Sequence, residues 1–579
     1  MMRKIRFLDA LPAVLLLLFI WIGFRAQATF RLDFKEQISI FMLGADRIGW
    51  YLSNPGFIAS VAGDWLTQFY IGGKAGAALS ILLLALITFG LARFMRQAQP
   101  KLKTLWLLLM APVFMEAWFI PFPNYPVSAT MGLVLSVWSA CALAQIRDSK
   151  AAPWIYGISV PVMFVIAGSQ ALTLALMLGY LKRKDVQSLL CIAAGLIAMM
   201  LCGRFYNLTL LQTFVWPVSP GYIIPDISLL LLEPVLIVAV MALTPLAYRI
   251  RRTRVRDAVL YLFMLVYMGA FAFIGNTEME RVVKIGTMAY RNDWDEVRKL
   301  ALSDKPNEYR NFYLYLCYAR EGRLADDLLT ERWPKSSNGL FLSTRRGDPY
   351  FSMMYFTDAL LEMGDVSQAT DCALLAQTVI PGHYSTRMLR RLAEIAVVTG
   401  DYEVASKYLN ILSRTRNHKK WADNLSECIR TGDIPEQYLV WRSRTAPDDV
   451  FFAQGDIRSS LAILASENPY NRVAKDYLLC SYLLDRNVNS FIGSYEKYYL
   501  NSLDQMVQVP ELYQEALLTN VTSNESLKET VRKYHISEEV AVKFLNLMSA
   551  RAKSENPHTI TQESSGTYWH YIMSVSLKK

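Results

Sequence analysis

The chain has 579 residues, of which 53% are hydrophobic and only 19% are charged, and its mean hydropathy is +0.21. This composition excludes a disordered, collagen-like or coiled-coil protein, and the length predicts two or three structural units. The net charge of +10 would indicate an anionic partner if the protein were soluble.

The charge is unevenly distributed along the chain. Residues 1–275 hold 23 basic and 11 acidic side chains, whereas residues 276–579 hold 37 and 39. All the long apolar stretches lie in the first part. We therefore interpret residues 1–275 as a transmembrane domain and residues 276–579 as a second, nearly neutral domain. The basic run Arg249–Arg256 then reflects membrane topology, and no nucleic-acid partner is predicted.

The fold class predicted for the first domain is an all-α transmembrane bundle of about nine helices. Pro153–Leu181 is too short for two full spans, and basic residues flank both of its ends. It predicts two short helices broken near Gly168 and Gln170, which either cross the bilayer twice or form a re-entrant hairpin. Seven other nearly uncharged stretches are each about as long as a helix that crosses ~30 Å of hydrocarbon: Leu8–Phe24, Ala75–Leu91, Leu105–Ile120, Val127–Ile146, Val186–Gly203, Ile227–Tyr248 and Ala258–Gly275.

Basic residues predict the orientation, because Lys and Arg are retained in the cytoplasm during insertion. Of the 23 in residues 1–275, 17 lie in alternate loops that include the amino terminus. This predicts a multi-pass protein of the plasma (bacterial inner) membrane with a cytoplasmic amino terminus and a periplasmic second domain. Residues 1–28 end in Ala26-Gln27-Ala28, like a cleavable signal peptide, but the adjacent Arg25 favours an uncleaved anchor.

The second domain resembles tetratricopeptide (TPR) repeats, which implies an α-solenoid. Two units offset by 36 residues carry the resemblance, with small and apolar residues at matching positions and a Gly-Asp turn at Gly364 and at Gly400. Gly400 permits the positive φ that ends one helix, and Ala393 and Ala405 allow close helix approach. Such arrays present a groove for a peptide or protein partner. The aromatic cluster Thr567–Tyr571 either caps the last hairpin or rests on the membrane.

Acidic residues provide the candidate chemistry. The exported loop at residues 25–74 contains Asp33, Glu36, Asp46 and Asp64, among aromatic residues at helical spacing that predict interfacial helices. Glu116 and Glu233 lie within apolar stretches, at similar depth. A carboxyl at that level needs a partner or a wet cavity, and Lys74, Arg204 and Asp226 are the candidate partners. Internal hydrogen bonding of the two acids is the alternative.

Other chemistry is not indicated. The five histidines all follow residue 276, no pair of cysteines has CxxC spacing, and no phosphate-binding glycine loop occurs. We therefore predict no metal site, no cofactor and no ATP-driven transport by this chain alone.

The order of a long acidic exported loop, many spans and an exported TPR-like domain resembles, in architecture, the GT-C class of glycosyltransferases. The resemblance implies a polyprenyl-phosphate-linked sugar donor and an acidic residue of the first exported loop that acts as a base or as a ligand of a divalent metal. It would assign catalysis to Asp33, Glu36 and Glu116, and substrate binding to Lys74, Arg204 and Glu233, with the two cations holding donor phosphate.

The leading hypothesis is a membrane protein whose exported domain binds a partner in cell-envelope assembly or export. The GT-C-like transferase is the alternative, and a transporter is a third reading. A scaffold should tolerate Asp33→Asn, Glu36→Gln and Glu116→Gln, whereas an enzyme should lose activity at normal abundance.

Overall fold

The apolar stretches are helical in a computed structural model of the chain, which confirms the all-α class. Helices account for 79% of the structure, and the described residues contain no strand. The structure describes residues 7–102, 104–218, 227–248, 253–274, 277–303, 305–330, 333–342, 350–380, 382, 384–447, 456–500, 508–553 and 566–576.

The helices are numbered here in chain order. The first thirteen are α1 Phe7–Gln27, α2 Thr29–Gln37, α3 Ala45–Leu52, α4 Phe57–Thr67, α5 Lys74–Ala98, α6 Trp106–Phe119, α7 Val127–Leu143, α8 Ala152–Ala167, α9 Ala171–Leu181, α10 Val186–Phe205, α11 Leu210–Val215, α12 Ile227–Tyr248 and α13 Thr253–Ile274. They are followed by α14 Thr277–Tyr290, α15 Trp294–Ser303, α16 Glu308–Arg320, α17 Leu324–Asp327, α18 Tyr350–Met363, α19 Val366–Val379, α20 Thr386–Thr399, α21 Tyr402–Ser413, α22 Lys419–Thr431, α23 Glu436–Arg444, α24 Ile457–Glu467, α25 Arg472–Leu484, α26 Val488–Tyr495, α27 Glu511–Leu518, α28 Asn524–Tyr534, α29 Glu538–Lys553 and α30 Tyr568–Ser576.

Length and composition make the chain compatible with membrane insertion. Among the described residues, six helical segments are long and apolar enough to cross a bilayer, namely Ala10–Gln27, Lys74–Ala98, Val127–Ile146, Ala152–Leu181, Val186–Phe205 and Ser228–Tyr248. The apolar segments Trp106–Phe119 and Asp257–Ala270 are shorter. The predicted nine crossings and their orientation stay predictions, and so does the signal-anchor reading of residues 1–28.

The predicted break in Pro153–Leu181 is present. Helices α8 and α9 are separated by a 3-10 turn at Gly168–Gln170, where Gly168 has φ 68°. The carbonyls of Phe164 and Val165 at the end of α8 both accept the N–H of Gly56, at 3.0 and 2.9 Å, and the Ser169 N–H donates to Trp216 O at 2.9 Å. Protein groups thus satisfy the backbone that the break exposes, as an apolar surrounding requires.

The chain folds into two units, the first of which comprises residues 1–284, 379–387 and 411–421. In this unit α4 packs on α7, and a Cβ added at Gly63 would lie 2.5 Å from the Ser128 nitrogen. This close approach requires glycine at position 63. It also places the polar residues of α4 beside the start of α7.

The second unit comprises residues 285–378, 388–410 and 422–579. Gly364 and Gly400 both have φ 86°, so the positive φ predicted at Gly400 is confirmed. Ala393 and Ala405 are fully buried, as close helix packing requires. The TPR solenoid itself stays a prediction.

Two polar features belong to the core of the second unit. Glu362 accepts hydrogen bonds from Arg320, from Arg444 at 2.7 Å and from Trp441 Nε1 at 3.0 Å. The carboxy-terminal aromatic residues are also buried, since Tyr568 Oη donates to Leu483 O at 2.9 Å and Tyr571 Oη to Leu484 O at 2.8 Å. The aromatic cluster therefore packs on the end of α25.

Candidate ligand cleft

Asp33, whose catalytic role stays a prediction, lies on helix α2. It is buried, and one carboxylate oxygen accepts the N–H of Gly72 while the other accepts Gln37 Nε2 at 3.2 Å. The bond from Gly72 ties α2 to the turn before α5, whereas the bond from Gln37 lies within α2. Asp33 does not line the cleft described below.

Glu36, on the same helix, bonds to a distant segment of the first unit. Its Oε1 lies 3.0 Å from His418 Nε2 and accepts Asn417 Nδ2 at 3.1 Å. The backbone of α2 contributes too, because Thr386 Oγ1 donates to Glu36 O at 2.8 Å. Glu36 therefore holds residues 411–421 in place and does not line the cleft either.

Glu116 and Glu233, for which the sequence predicts a similar depth, lie close together in the structure. Both are buried, and their side chains are hydrogen-bonded to each other. Glu116 also accepts the hydroxyl of Tyr125 at 2.7 Å and that of Thr130. The candidate partners Lys74 and Arg204 are exposed, and Asp226 lies outside the described residues.

A cleft lies in the first unit, and the predicted exported loop supplies half of its lining residues. Helices α2, α3 and α4 contribute its charged residues, and the start of α7, the Trp216-Pro217 pair and the segment 379–387 close it. Its lining residues are Lys35, Ile38, Ser39, Arg47, Trp50, Ser60, Asp64, Thr67, Pro123, Pro126, Val127, Ser128, Trp216, Pro217, Gly382 and Tyr384.

Arg47 is held at the cleft by charge and by aromatic rings. Its Nη2 lies 3.0 Å from Asp64 Oδ2, and its guanidinium carbon lies 4.1 Å from the ring centroid of Trp50 and 5.2 Å from that of Tyr384. Such stacking favours a cation that is withdrawn from water. The Tyr51 hydroxyl donates to the same Asp64 oxygen at 2.7 Å. Burial raises the pKa of Asp64, and Arg47 and Tyr51 oppose that rise.

Lys35 is the second cation of the cleft, and its side chain is buried. Its Nζ donates to the carbonyl oxygens of Phe122, at 3.0 Å, and Tyr125. Burial lowers the pKa of Lys35 to about 7, against the opposing charge of Glu116. The Lys35 ammonium therefore loses its proton near neutral pH.

Of the charged cleft residues, the sequence indicates only Asp64, as one acid of the exported loop, and assigns it no specific role. Arg47, Trp50 and Tyr51 do carry a sequence signal, because they recur at the i, i+3, i+4 spacing of one helix face. Lys35 gave no such signal, since its burial depends on carbonyls of residues far along the chain.

No cluster of three or more His, Cys, Asp or Glu side chains that could hold a metal ion occurs in the part of the chain that the structure describes. Comparison with known proteins identifies no curated protein and no solved structure that matches the chain. One family model does match, over residues 3–574, and its description is a family of unknown function, DUF6057. That match covers both units, and the chain therefore belongs to the DUF6057 family.

Proposed function

We propose that this chain is an integral membrane protein with a ligand-binding role in the cell envelope, and that the cleft of the first unit is its binding site. The observation that carries the proposal is the cleft itself, in which Lys35, Arg47 and Asp64 lie beside Trp50 and Trp216. A pocket with apolar and aromatic walls and a few placed charges is the usual form of a ligand site. The six apolar helices support the membrane assignment.

This proposal keeps the envelope location and the periplasmic second domain that the sequence predicts. The second domain would bind a protein or peptide through its helical hairpins, as TPR-like arrays do. Gly364 and Gly400 support such hairpins, since each provides the left-handed turn between two helices.

Purification of the full chain in mild detergent, followed by mass spectrometry of bound lipids, small molecules and proteins, tests the binding role. Ser39→Trp should reduce the bound ligand, because a large side chain at this lining position fills the cleft. Ser53→Trp is the matched control, since Ser53 is exposed and outside the cleft. Equal ligand in both variants would contradict the assignment of the cleft.

A second candidate is a GT-C-like transferase that uses a polyprenyl-phosphate-linked sugar. The observation that favours it is the carboxylate of Asp64 in the cleft, in reach of any acceptor bound there. In this alternative Asp64, rather than Asp33 or Glu36, would act as the base that removes a proton from the sugar-accepting substrate. A divalent metal would require ligands from the bound donor in addition to Asp64.

Transfer of radiolabelled sugar from membrane lipid in vesicles distinguishes the two candidates. For the transferase, Asp64→Asn should abolish transfer at unchanged abundance, while Asp46→Asn, an acid of the same loop outside the cleft, should not. Equal transfer in both variants would remove the catalytic reading and leave the binding role.

A further inference from the structure

Arg47 carries a hydrogen-bond donor that nothing in the described structure satisfies. The side chain is only 3% exposed; its Nη1 donates to Gly382 O at 3.3 Å and its Nη2 to Asp64 at 3.0 Å. The Nε atom is buried and has no hydrogen-bond partner among the residues that the structure describes. Because a buried charged donor without an acceptor is costly, this atom indicates a missing acceptor.

Lys35 offers a second donor to the same space. An ammonium has three N–H donors, and the carbonyls of Phe122 and Tyr125 use two of them. Lys35 lines the cleft with Arg47, so its third donor is available to a bound group.

The charges of the cleft leave an excess of one positive charge. Its charged lining residues are Lys35, Arg47 and Asp64, and Asp64 is paired with Arg47. The charge of protonated Lys35 is therefore not balanced by the lining. The remaining polar lining consists of hydroxyl groups, at Ser39, Ser60, Thr67 and Ser128.

We propose that the cleft binds the phosphate group of its ligand, with Arg47 Nε and Lys35 Nζ donating to the phosphate oxygens. This inference rests on the proposed function, because it takes the cleft as the ligand site. Phosphate fits better than a neutral group because it presents several charged oxygens to donors from separate elements. The apolar lining of Ile38, Val127 and Trp216 accommodates the group that the phosphate carries.

Two sources share this chemistry, a lipid headgroup and a soluble phosphate. The test uses the purified full chain and two probes, inorganic pyrophosphate in detergent and dioleoyl phosphatidic acid in nanodiscs, with dioleoylglycerol as the phosphate-free control. Binding is measured as a ligand-dependent rise in Tm. A rise with pyrophosphate alone identifies a soluble ligand, and a rise with phosphatidic acid alone identifies a headgroup; either supports the phosphate site.

Two cleft variants and two matched controls locate the site. Lys35→Met and Arg47→Lys should each weaken probe binding by about tenfold or more, because each removes a charge-assisted donor. Lys74→Met and Arg204→Lys should bind like the wild type, since both residues are exposed and neither lines the cleft. If Lys35→Met does not fold, the test uses probe binding by Arg47→Lys, because that variant keeps the positive charge beside Asp64.

Phosphate binding is overturned if neither probe raises Tm, or if the cleft variants bind as tightly as the controls. Loss of binding in Lys74→Met or Arg204→Lys alone would also overturn it. The proposed function fails separately, when Ser39→Trp and Ser53→Trp retain equal amounts of co-purified ligand.

Discussion

Glu116 and Glu233 are hydrogen-bonded to each other in the apolar interior of the first unit, although they lie on helices α6 and α12. Two carboxyl groups can form this bond only if they share a proton. The Tyr125 hydroxyl, 2.7 Å from Glu116, joins them to the same segment whose carbonyl accepts Lys35. The pair thus connects two apolar helices to one wall of the cleft.

The pair predicts different outcomes for two substitutions. Glu116→Leu leaves the hydroxyls of Tyr125 and Thr130 without their acceptor and should lower the free energy of unfolding by about 1–3 kcal/mol per orphaned group. Glu233→Gln keeps a side-chain donor to Glu116 and should cost less. Thermal unfolding in detergent measures both; equal stability of Glu116→Leu and the wild type would contradict the bonding described here.

The charge of Lys35 predicts a pH dependence of phosphate binding. Its pKa of about 7 means that the ammonium is present below neutral pH and lost above it. Pyrophosphate affinity should therefore fall as pH rises from 6 to 8.5, and this fall should be absent in Lys35→Met. Glu116→Gln removes a negative charge that raises the Lys35 pKa, so the fall should move to lower pH. A flat profile in the wild type would contradict the role of Lys35.

Stability should respond to pH in the opposite direction. The Lys35 pKa is lowered in the folded state from 10.5 to about 7, so between these values the unfolded state binds more protons. The contribution of Lys35 to the free energy of unfolding must therefore rise with pH in this window. Comparison of wild type and Lys35→Met by denaturation at pH 7 and 9 measures it; a wild-type advantage that shrinks toward pH 9 would be inconsistent with this sign.

The contact between Gly63 and Ser128 predicts a packing effect on the cleft. Gly63→Ala places a methyl group 2.5 Å from the Ser128 nitrogen, so α4 must move away from α7 at a cost of about 1–3 kcal/mol. Gly49→Ala is the control, since a Cβ there meets nothing within 4 Å and alanine favours the helix. Tm and probe affinity should both fall for Gly63→Ala only.

Glu362 predicts a large effect in the second unit. Its side chain is 2% exposed and accepts from Arg444 at 2.7 Å and from Trp441 at 3.0 Å. Glu362→Ala leaves two arginines without their buried partner and should cost about 3–5 kcal/mol. Glu427→Ala, which breaks an exposed pair with Arg430, should leave the Tm nearly unchanged. Similar Tm values for both variants would contradict this assignment.

Local features of the fold were predictable from sequence. The helices of the apolar stretches follow from length and composition, the break at Gly168–Gln170 from glycine and spacing, and the turn at Gly400 from the need for positive φ. Each depends on a few neighbouring residues. The sequence predicts a similar depth for Glu116 and Glu233, but their contact depends on how α6 packs against α12.

The roles of individual acids were not predictable in the same way. Asp33 and Glu36 lie on one helix with Lys35, yet the acids bond to Gly72 and to His418 while the lysine lines the cleft. Their separation depends on which distant segments pack on each face of α2. Composition and periodicity describe the helix but carry no information about those segments.

Gly382 and Tyr384 are encoded far from the rest of the cleft wall, which comes from residues 35–217. A chain ending at residue 284 would retain both cleft cations and the six described segments that are long and apolar enough to cross a bilayer. It would nevertheless lack the carbonyl that accepts Arg47 Nη1 and one of the rings against that guanidinium. Binding studies on residues 1–284 alone would therefore examine an incomplete site, whatever the ligand.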